Sequence, residues 1–234
     1  MKIAIMQPYL FPYIGYFLLM NAVDEFIVYD NIQFTKKGWI NRNRILFNEK
    51  DIYITLPLKK GSDYLDIRDR ELAESWLMDR KKMISRIAEA YRNAPFFATV
   101  FPVIEKAILF EESNLFKFIF NSLHLLKDYL NIKTTIILSS SISIDHSVRA
   151  GDKVLEICRA RKARSYLNPI GGLNLYSKEC FKNENLDLYF LKTGNINYPQ
   201  LKNDFVTSLS IIDVMMFNSK QQIQEYLNSS FTLI

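Results

Sequence analysis

Two short polar segments of the chain contain side chains that could bind and activate a polar ligand. Asp30 closes an apolar run, and its carboxylate could accept a proton or hold a hydroxyl group. Arg42 carries a planar guanidinium group that suits a carboxylate or a phosphate. The amide and indole groups beside them are predicted to bind the same ligand: Gln33, Trp39, Asn41 and Asn43. A polar surface loop with local side-chain turns is the alternative explanation.

The segment MQPYLFPYIGYF, residues 6–17, could form a second wall of this site. Its prolines and Gly15 predict a tight loop leading into a helix, whose free N–H groups would face an anion. Gln7 has no packing role there and is predicted to orient polar groups. Leu10 and Phe17 are predicted to join the core, and the stacking wall is predicted to come from other rings: Tyr9, Phe11 or Tyr13. Packing of a crowded first turn is the alternative.

A third segment, NPIGGLNLY at residues 168–176, places two glycines after a short strand. Gly171 and Gly172 would let a ligand approach the main chain closely, or would adopt a positive φ. Tyr176 is predicted to bind the ligand beside them. An ordinary turn between a strand and a helix explains the same pattern.

The histidines and cysteines predict neither a metal site nor a pair of nucleophile and base. His124 falls in a helical pattern and His146 in a polar loop, and both are interpreted as structural or surface residues. Cys158 and Cys180 are the only cysteines, and their spacing forms no CxxC motif. Two free thiols fit a reducing compartment, so a cytoplasmic location is predicted.

The net charge and the hydropathy of the chain limit the classes of partner that it is predicted to bind. The net charge of +5 at pH 7 is small, and no nucleic-acid-binding motif accompanies the basic run at residues 158–165. Nucleic acid is therefore not a predicted partner. No apolar stretch of about 18 residues predicts a membrane span. Prolines and acidic residues interrupt the apolar beginning of the chain, which argues against a signal peptide.

Strand patterns alternate with helical patterns, which predicts an α/β fold with a mostly parallel, Rossmann-like sheet. The predicted strands lie at 2–6, 25–30, 51–59, 134–140, 165–169 and 186–192, and the predicted helices start near Gly15 and lie at 152–160, 205–217 and 221–227. The chain is interpreted as a single α/β domain, residues 1–234, with a helical insertion at about 72–131. Such sheets bind ligands beyond the carboxyl ends of their strands, which directs the site to four loops: those after Met6, Asp30, Ser139 and Pro169.

The predicted insertion shows helical rather than strand periodicity. One apolar stripe runs from Trp76 to Tyr91, and another runs from Leu115 to Leu130. Pro102 is predicted to open a helix between them, at its first turn. The insertion carries no site-like residues, so it could form a lid or the face of a homodimer.

The chain resembles the WbqC-like family of bacterial proteins at motifs that span nearly its whole length. The motifs are MQPYLFPYIGYF at 6–17, DNIQF at 30–34, WINRN at 39–43, YLNPIGG at 166–172 with Tyr176, and LSIID at 209–213. The resemblance implies a setting in bacterial gene clusters for surface polysaccharides, including the O-antigen of lipopolysaccharide. One activity proposed in the family is glycine transfer to the amine of a 4-amino-4,6-dideoxy sugar.

The first turn also resembles, more faintly, that of nucleotidylyltransferases and pantothenate synthetase. Those enzymes bind nucleotide phosphates at a P-x-x-x-G-H turn, through histidines and a helix N-terminus. Here Gly15 is followed by Tyr16, which can donate one hydrogen bond but carries no positive charge at neutral pH. Gly15 and Tyr16 are predicted to contact the substrate. If adenylation activates the carboxyl group, the resemblance implies ATP and Mg²⁺ as cofactors.

We therefore expect a transferase that adds an amino-acyl group, such as glycyl, to the amine of a nucleotide-linked amino sugar. Asp30 would act as the base or the hydroxyl anchor, and Arg42 would bind a phosphate or the carboxylate of the amino acid. Two alternatives stay open. One is a non-catalytic protein that binds a sugar nucleotide within a biosynthetic assembly, and the other is a nucleotidylyltransferase-like enzyme with another acceptor.

Overall fold

The computed structural model describes residues 1–148, 150–201 and 204–234. The strands are β1 (Lys2–Met6), β2 (Glu25–Val28), β3 (Arg42–Phe47), β4 (Lys50–Thr55), β5 (Thr135–Leu138), β6 (Ser165–Pro169), β7 (Asp187–Thr193) and β8 (Phe231–Leu233). The helices are α1 (Ile14–Asn21), α2 (Trp76–Tyr91), α3 (Phe97–Ile108), α4 (Leu115–Tyr129), α5 (Ala150–Ala160), α6 (Lys178–Asn183), α7 (Ile211–Phe217) and α8 (Lys220–Ser229).

The central sheet has a Rossmann-like topology, with the strand order β5-β2-β1-β6-β7-β8. Every neighbouring pair is parallel except β7 with β8. The chain runs outward from β1 through β2 to β5 and then returns to the other side of β1 with β6 and β7. This reversal between β1 and β6 opens a crevice at the carboxyl ends of the two strands. The predicted α/β fold with a mostly parallel sheet is confirmed.

Alternating side chains of β1 divide the core into two layers. Ala4 faces the layer that holds α1, α2, α3, α4, α7 and α8, whereas Ile3 and Ile5 face the layer that holds α5 and α6. Both layers are apolar, as expected for parallel strands that are covered on both faces. The polar groups at the carboxyl edge of the sheet therefore differ from the apolar layers that cover its two faces.

The helices between β4 and β5 follow the predicted apolar stripes. Trp76 and Tyr91 are buried on α2, and Leu115 and its helical neighbours are buried on α4. Pro102 lies inside α3 instead of opening it, so that prediction is wrong. The missing N–H of this proline costs one bond inside the helix, and the buried face of α3 keeps the helix continuous around it. Within the described ranges, no helix is long and apolar enough to cross a membrane.

Only the second strand of the β3–β4 hairpin was predicted from the sequence patterns. β3 buries Asn43 and Ile45, and a turn with positive φ at Asn48 (48°) and Glu49 (64°) leads into β4. Two such residues form the tight connection that antiparallel strands prefer. β4 ends at Thr55, so the predicted strand at 51–59 is too long.

The last predicted apolar helix is shorter than its sequence pattern. α7 begins at Ile211, because Ser210 Oγ accepts a hydrogen bond from Ile212 N at 3.2 Å and caps the helix. Ser210 N donates to Arg44 O at 2.9 Å, and Ile211 N donates to Pro12 O at 2.9 Å. The chain before α7 therefore joins the hairpin and the first loop, and the predicted helix at 205–217 starts too early.

Candidate functional site

A cavity of about 350 Å³ opens beside the crevice between β1 and β6. It lies among the loop after β1, the start of the β3–β4 hairpin and the turn after β6. Its lining residues are Tyr9, Tyr13, Trp39, Asn43, Arg44, Ile170, Gly171 and Ser208. Among the described residues, no carboxylate and no histidine lines it, and Arg44 is its only formal charge. The cavity therefore presents three aromatic rings and one guanidinium group to a ligand.

Asn43 fixes the loop after β1. Its Nδ2 donates to Leu10 O at 3.0 Å and to Phe11 O at 2.8 Å, and its Oδ1 accepts from Arg44 N at 2.8 Å. Ser210 Oγ donates to the same Phe11 O at 2.7 Å. Phe11 has a left-handed φ of 42°, which is rare for a bulky residue, and these two donors hold it there. Three sequence motifs, MQPYLFPYIGYF, WINRN and LSIID, therefore meet at one point.

Phe11 and Tyr16, both predicted to bind substrate, have side chains in the core with 0% of their surface exposed. Tyr16 Oη donates to Gln7 O at 3.1 Å, and burial raises the pKa of Tyr16 well above its ordinary value. The Tyr16 ring packs edge-on against Phe26, with 5.1 Å between the ring centroids. These two residues shape the loop from inside, while Tyr9 and Tyr13 line the cavity.

Gly15 contributes to the cavity through Tyr13. The Tyr13 ring lies against Gly15 so closely that an added Cβ would sit 2.2 Å from Tyr13 Cε2. Burial raises the pKa of Tyr13, so its hydroxyl stays protonated and can donate to a ligand at neutral pH. A side chain at position 15 would therefore displace one wall of the cavity.

Three other predicted residues donate side-chain hydrogen bonds to the main chain of nearby loops. The acceptors are Leu56 O at 2.9 Å for Asn41, Gly38 O at 3.1 Å and Lys37 O at 2.8 Å for Arg42, and Asp63 O at 2.8 Å for Gln33. Gln7 follows β1 directly, and its side-chain amide has no hydrogen-bond partner among the described residues. None of these four residues lines the cavity.

The two glycines in the turn after β6 have different roles. Gly171 lines the cavity, and no atom lies within 4 Å of where its Cβ would be. Gly172 packs on the buried side chain of Asn168, whose Nδ2 donates to Tyr166 Oη at 3.2 Å. Neither glycine has a positive φ, so that part of the prediction is wrong, and close packing is what requires Gly172.

We expect Gly172→Ala to destabilise the fold by about 1 to 3 kcal/mol, the usual cost of overpacking. The new Cβ would lie 2.9 Å from Asn168 Nδ2. Gly171→Ala is the matched control and should change stability by less than about 0.5 kcal/mol. Both substitutions reduce the conformational entropy of the unfolded chain to the same extent. The difference between the two variants in the free energy of unfolding in urea therefore measures the contact with Asn168 in the folded state. Equal stability of the two variants would contradict this account of the turn.

Asp30 lies at the carboxyl edge of β2, in a polar group beside the cavity loops. Only 3% of its surface is exposed, and its Oδ1 accepts from Ser139 Oγ at 2.8 Å and from Ser140 N at 2.9 Å. Asn31 Nδ2 lies 2.9 Å from His146 Nδ1, and the other ring nitrogen lies 3.0 Å from a main-chain carbonyl oxygen. The His146 ring therefore ties the loops after β2 and β5 together.

Lys153 reaches this polar group from the first turn of α5. Only 6% of its surface is exposed, and its Nζ donates to Asn31 O at 3.3 Å and lies 5.2 Å from the centre of the Tyr29 ring. Burial lowers the pKa of the Lys153 ammonium, and the nearby Asp66 and Asp30 carboxylates oppose that change. The helical pattern of 152–160 placed this residue on a helix but gave no sign that it would be buried.

Tyr176 lies on the other layer of the core, away from the cavity. Its ring packs edge-on against Tyr166 and Phe181, with centroid distances of 5.7 Å in both cases. Five of the predicted residues line the one cavity: Tyr9, Tyr13, Trp39, Asn43 and Gly171. The other predicted residues lie outside it. Three lining residues were not predicted from the sequence: Arg44, Ile170 and Ser208. Arg42, which has the same chemistry as Arg44 two positions earlier, was predicted in its place.

No group of three or more histidine, cysteine, aspartate or glutamate side chains in the described part of the chain could hold a metal ion. The polar group around Asp30 contains an imidazole, amide and hydroxyl groups beside its carboxylate. The cavity and this polar group therefore offer hydrogen bonds and single charges to a ligand.

Comparison with known proteins finds matches along nearly the whole chain. A sequence model of the WbqC-like protein family matches residues 7–225. The chain is 30% identical over 232 residues to the uncharacterized protein Rv1507c of Mycobacterium tuberculosis (strain ATCC 25618 / H37Rv), and the match covers 97% of each chain. No solved structure matches significantly.

Proposed function

Because the chain belongs to the WbqC-like protein family, we propose that it is a transferase of bacterial surface-polysaccharide biosynthesis, including that of O-antigen. In this proposal it acylates the amine of a nucleotide-linked amino sugar, and glycyl is the simplest acyl group. The observation that carries the proposal is the character of the cavity at the sheet reversal. Three rings and one guanidinium line it, and no carboxylate does so among the described residues.

The cavity has the surfaces that a pyranose ring requires. Tyr9, Tyr13 and Trp39 offer flat apolar faces for the C–H groups of a sugar, and the tyrosine hydroxyls offer hydrogen bonds to its oxygens. Burial raises the pKa of Tyr9 as it does that of Tyr13, so both hydroxyls remain donors at neutral pH. A volume of about 350 Å³ lies at the small end of the range for ligand pockets.

The charge of the cavity favours the reactive form of an amine. Acyl transfer requires an unprotonated amine, and a positive neighbour together with partial desolvation lowers the pKa of an ammonium group. The three rings supply the desolvation, and Arg44 supplies a positive charge that its ion pair with Asp51 offsets in part. The amine nitrogen then bonds to the acyl carbon, the bond from that carbon to its activating group breaks, and the amine loses a proton to a base.

We propose Arg44 rather than Arg42 as the guanidinium group that faces the anionic part of the substrate. Arg44 lines the cavity, and its Nη1 pairs with Asp51 Oδ2 at 2.8 Å, which orients the guanidinium plane. Asp30 keeps its proposed role as a base or a hydroxyl anchor, from the loop after β2. Ser139 and Ser140 hold one of its oxygens, which leaves Oδ2 for a ligand.

The direct test incubates the purified protein with nucleotide-linked amino sugars, glycine, ATP and Mg²⁺. We expect a sugar nucleotide that gains one glycyl group by mass spectrometry, with release of AMP and pyrophosphate if adenylation activates the carboxyl group. A parallel reaction with glycyl-tRNA in place of glycine and ATP identifies a pre-activated donor. Tight binding of the sugar nucleotide without turnover under either condition would overturn the proposal.

We expect Gly171→Leu to weaken sugar-nucleotide binding and turnover at least tenfold, because the added side chain enters the cavity. The matched control is Gly151→Leu on α5, where an added Cβ also meets no atom within 4 Å. Both variants should fold, since neither site is crowded. Isothermal titration and initial rates measure the effect, and equal behaviour of the two variants would place the ligand elsewhere.

One observation favours a second candidate, a non-catalytic protein that binds a sugar nucleotide. Within the described part of the chain, no histidine or carboxylate lines the cavity to take the proton from an amine. In a nucleotidylyltransferase-like enzyme, Tyr16 would contact phosphates, but its hydroxyl is buried and bonded to Gln7 O. Binding of the sugar nucleotide with no turnover under any donor would favour the non-catalytic candidate.

A further inference from the structure

We propose that the outer side of the β3–β4 hairpin binds the nucleoside diphosphate of the substrate, outside the sugar cavity. The inference deepens the proposed function and rests on it for the identity of the sugar. It is carried by four side chains that form a strip, in which two stacked rings lie between two guanidinium groups: Arg42, Tyr53, Trp39 and Arg44. We call this set the hairpin strip.

The hairpin strip is an ordered arrangement of exposed rings. Trp39 and Tyr53 stack at 6.3 Å between centroids with an interplanar angle of 20°, although they are 39% and 49% exposed. The Arg42 Cζ lies 5.1 Å from the centre of the Tyr53 ring, and the Arg44 Cζ lies 5.9 Å from that of Trp39. A cation thus flanks each end of the ring pair, within cation–π distance.

The two arginines are held in place before any ligand arrives. Arg42 donates from Nε to Gly38 O at 3.1 Å and from Nη2 to Lys37 O at 2.8 Å. Its Nη1 has no partner among the described residues and remains available. Arg44 pairs with Asp51 through Nη1. Because fixed guanidinium groups lose little freedom on binding, they suit the paired oxygens of a diphosphate.

Trp39 belongs to both the cavity and the hairpin strip. A single ligand can therefore extend from the cavity onto the strip. Trp39 and Arg44 line the cavity and also belong to the strip, so a sugar bound in the cavity can direct its anomeric substituent toward the strip. The diphosphate would then meet the guanidinium groups, and the base would stack on the exposed Tyr53 ring. Stacking on an aromatic ring serves any base, so the strip predicts affinity for nucleoside diphosphates without strong base selectivity.

Single-stranded RNA is the other ligand that exposed rings and cations can bind. The hairpin strip contains two rings in contact, which accommodates one base or two, and Asp51 interrupts the positive charge beside Arg44. A strand of RNA needs a longer basic groove to follow its backbone. A single nucleoside diphosphate therefore fits the strip better.

The test measures binding of UDP, dTDP and GDP by quenching of tryptophan fluorescence and by calorimetry. Trp39 is exposed and Trp76 is buried, so a ligand on the strip should quench mainly Trp39. We expect Tyr53→Ala to weaken binding about tenfold, the effect of losing one stacking ring, and Tyr53→Phe to bind within about twofold of the parent. Tyr64→Ala is the matched control, because Tyr64 is 85% exposed and stacks on no ring among the described residues.

Three outcomes would overturn the inference: no binding of any nucleoside diphosphate, equal affinity for the parent and Tyr53→Ala, or tighter binding of an oligoribonucleotide than of UDP. The proposed function is tested separately, by the assay of acyl transfer. Tyr53-dependent binding of UDP without acyl transfer supports the strip and removes the transferase. Acyl transfer with an unchanged KM in Tyr53→Ala supports the transferase and removes the strip.

Discussion

Asn43→Asp is expected to destabilise the fold by about 3 to 5 kcal/mol, the usual cost of leaving an uncompensated charge in the interior. Asn43 is 4% exposed, and its Nδ2 donates to Leu10 O and to Phe11 O. A carboxylate has no proton to donate at neutral pH, so it would face two carbonyl oxygens. Urea unfolding followed by circular dichroism measures the loss, and cavity ligands should bind correspondingly less tightly.

Asn48→Asp provides the matched control for this change. Asn48 lies at the exposed turn of the same hairpin with a φ of 48°, a conformation that asparagine and aspartate both tolerate. Its stability should change by less than about 0.5 kcal/mol. If both variants lost the same stability, added negative charge on the hairpin would explain the effect, and the donated hydrogen bonds would not.

Asn43→Ala separates lost hydrogen bonds from added charge. The Phe11 carbonyl would keep its bond from Ser210 Oγ, whereas the Leu10 carbonyl would lose its bond from Asn43. We expect a smaller loss than for the aspartate variant, about 1 to 3 kcal/mol, since one buried acceptor is left unpaired. A loss equal to that of Asn43→Asp would show that the added charge contributes little beyond the loss of the two donated hydrogen bonds.

The second large effect is expected at Asp213, in the LSIID motif. Asp213 is 0% exposed and accepts three hydrogen bonds, from Tyr91 Oη at 2.9 Å, Tyr198 Oη at 2.8 Å and Gln200 Nε2 at 2.7 Å. Tyr91 Oη also accepts from Leu46 N at 3.2 Å, so the carboxyl group joins α2, β3 and the segment before α7. Asp213→Ala would leave buried donors facing a cavity, and we expect a loss of about 3 kcal/mol or more.

Asp213 should also make the stability depend on pH. Burial raises the pKa of its carboxyl group, although the three donors lower it in part. Between the ordinary value of 3.8 and the raised pKa, the folded chain keeps the proton while the unfolded chain has lost it. Stability therefore falls as the pH rises through this window and levels off above the raised pKa.

Urea unfolding of the parent and of Asp213→Asn across pH 4 to 8 measures this linkage. The asparagine variant cannot ionise, so its stability should decline less with rising pH than that of the parent. Asp187→Asn, at an exposed position on β7, should keep the slope of the parent. Parallel curves for the parent and Asp213→Asn would mean that another group controls the pH dependence.

The sheet and the helices were largely predictable because their patterns are local. The strand β6 begins and ends where it was predicted, and the buried stripe of α2 follows helical spacing from Trp76 to Tyr91. The alternation of strands and helices restricts the chain to a mostly parallel sheet with ligand sites at its carboxyl edge. The general location of the candidate cavity follows from that rule alone.

The identity of the cavity residues was harder to predict, because neighbouring residues on a strand point to opposite sides. The WINRN motif and the residue after it offer two amides and two arginines within four positions of sequence, Asn41 to Arg44. In the structure Asn43 and Arg44 both line the cavity, and Asn43 also bonds to the first loop, whereas Arg42 bonds to the main chain before β3. Assigning these faces required recognition of β3, and its polar composition concealed the strand pattern.

What the sequence by itself determined is the α/β architecture, the edge of the sheet where the polar loops gather and the aromatic character of the first loop. Only the tertiary structure decided which rings are core and which line a cavity. Phe11 is held by Asn43, 32 positions away, and by Ser210, 199 positions away. Local patterns carry no record of such contacts, because the hydrogen bonds exist only after β1, the hairpin and the segment before α7 have come together.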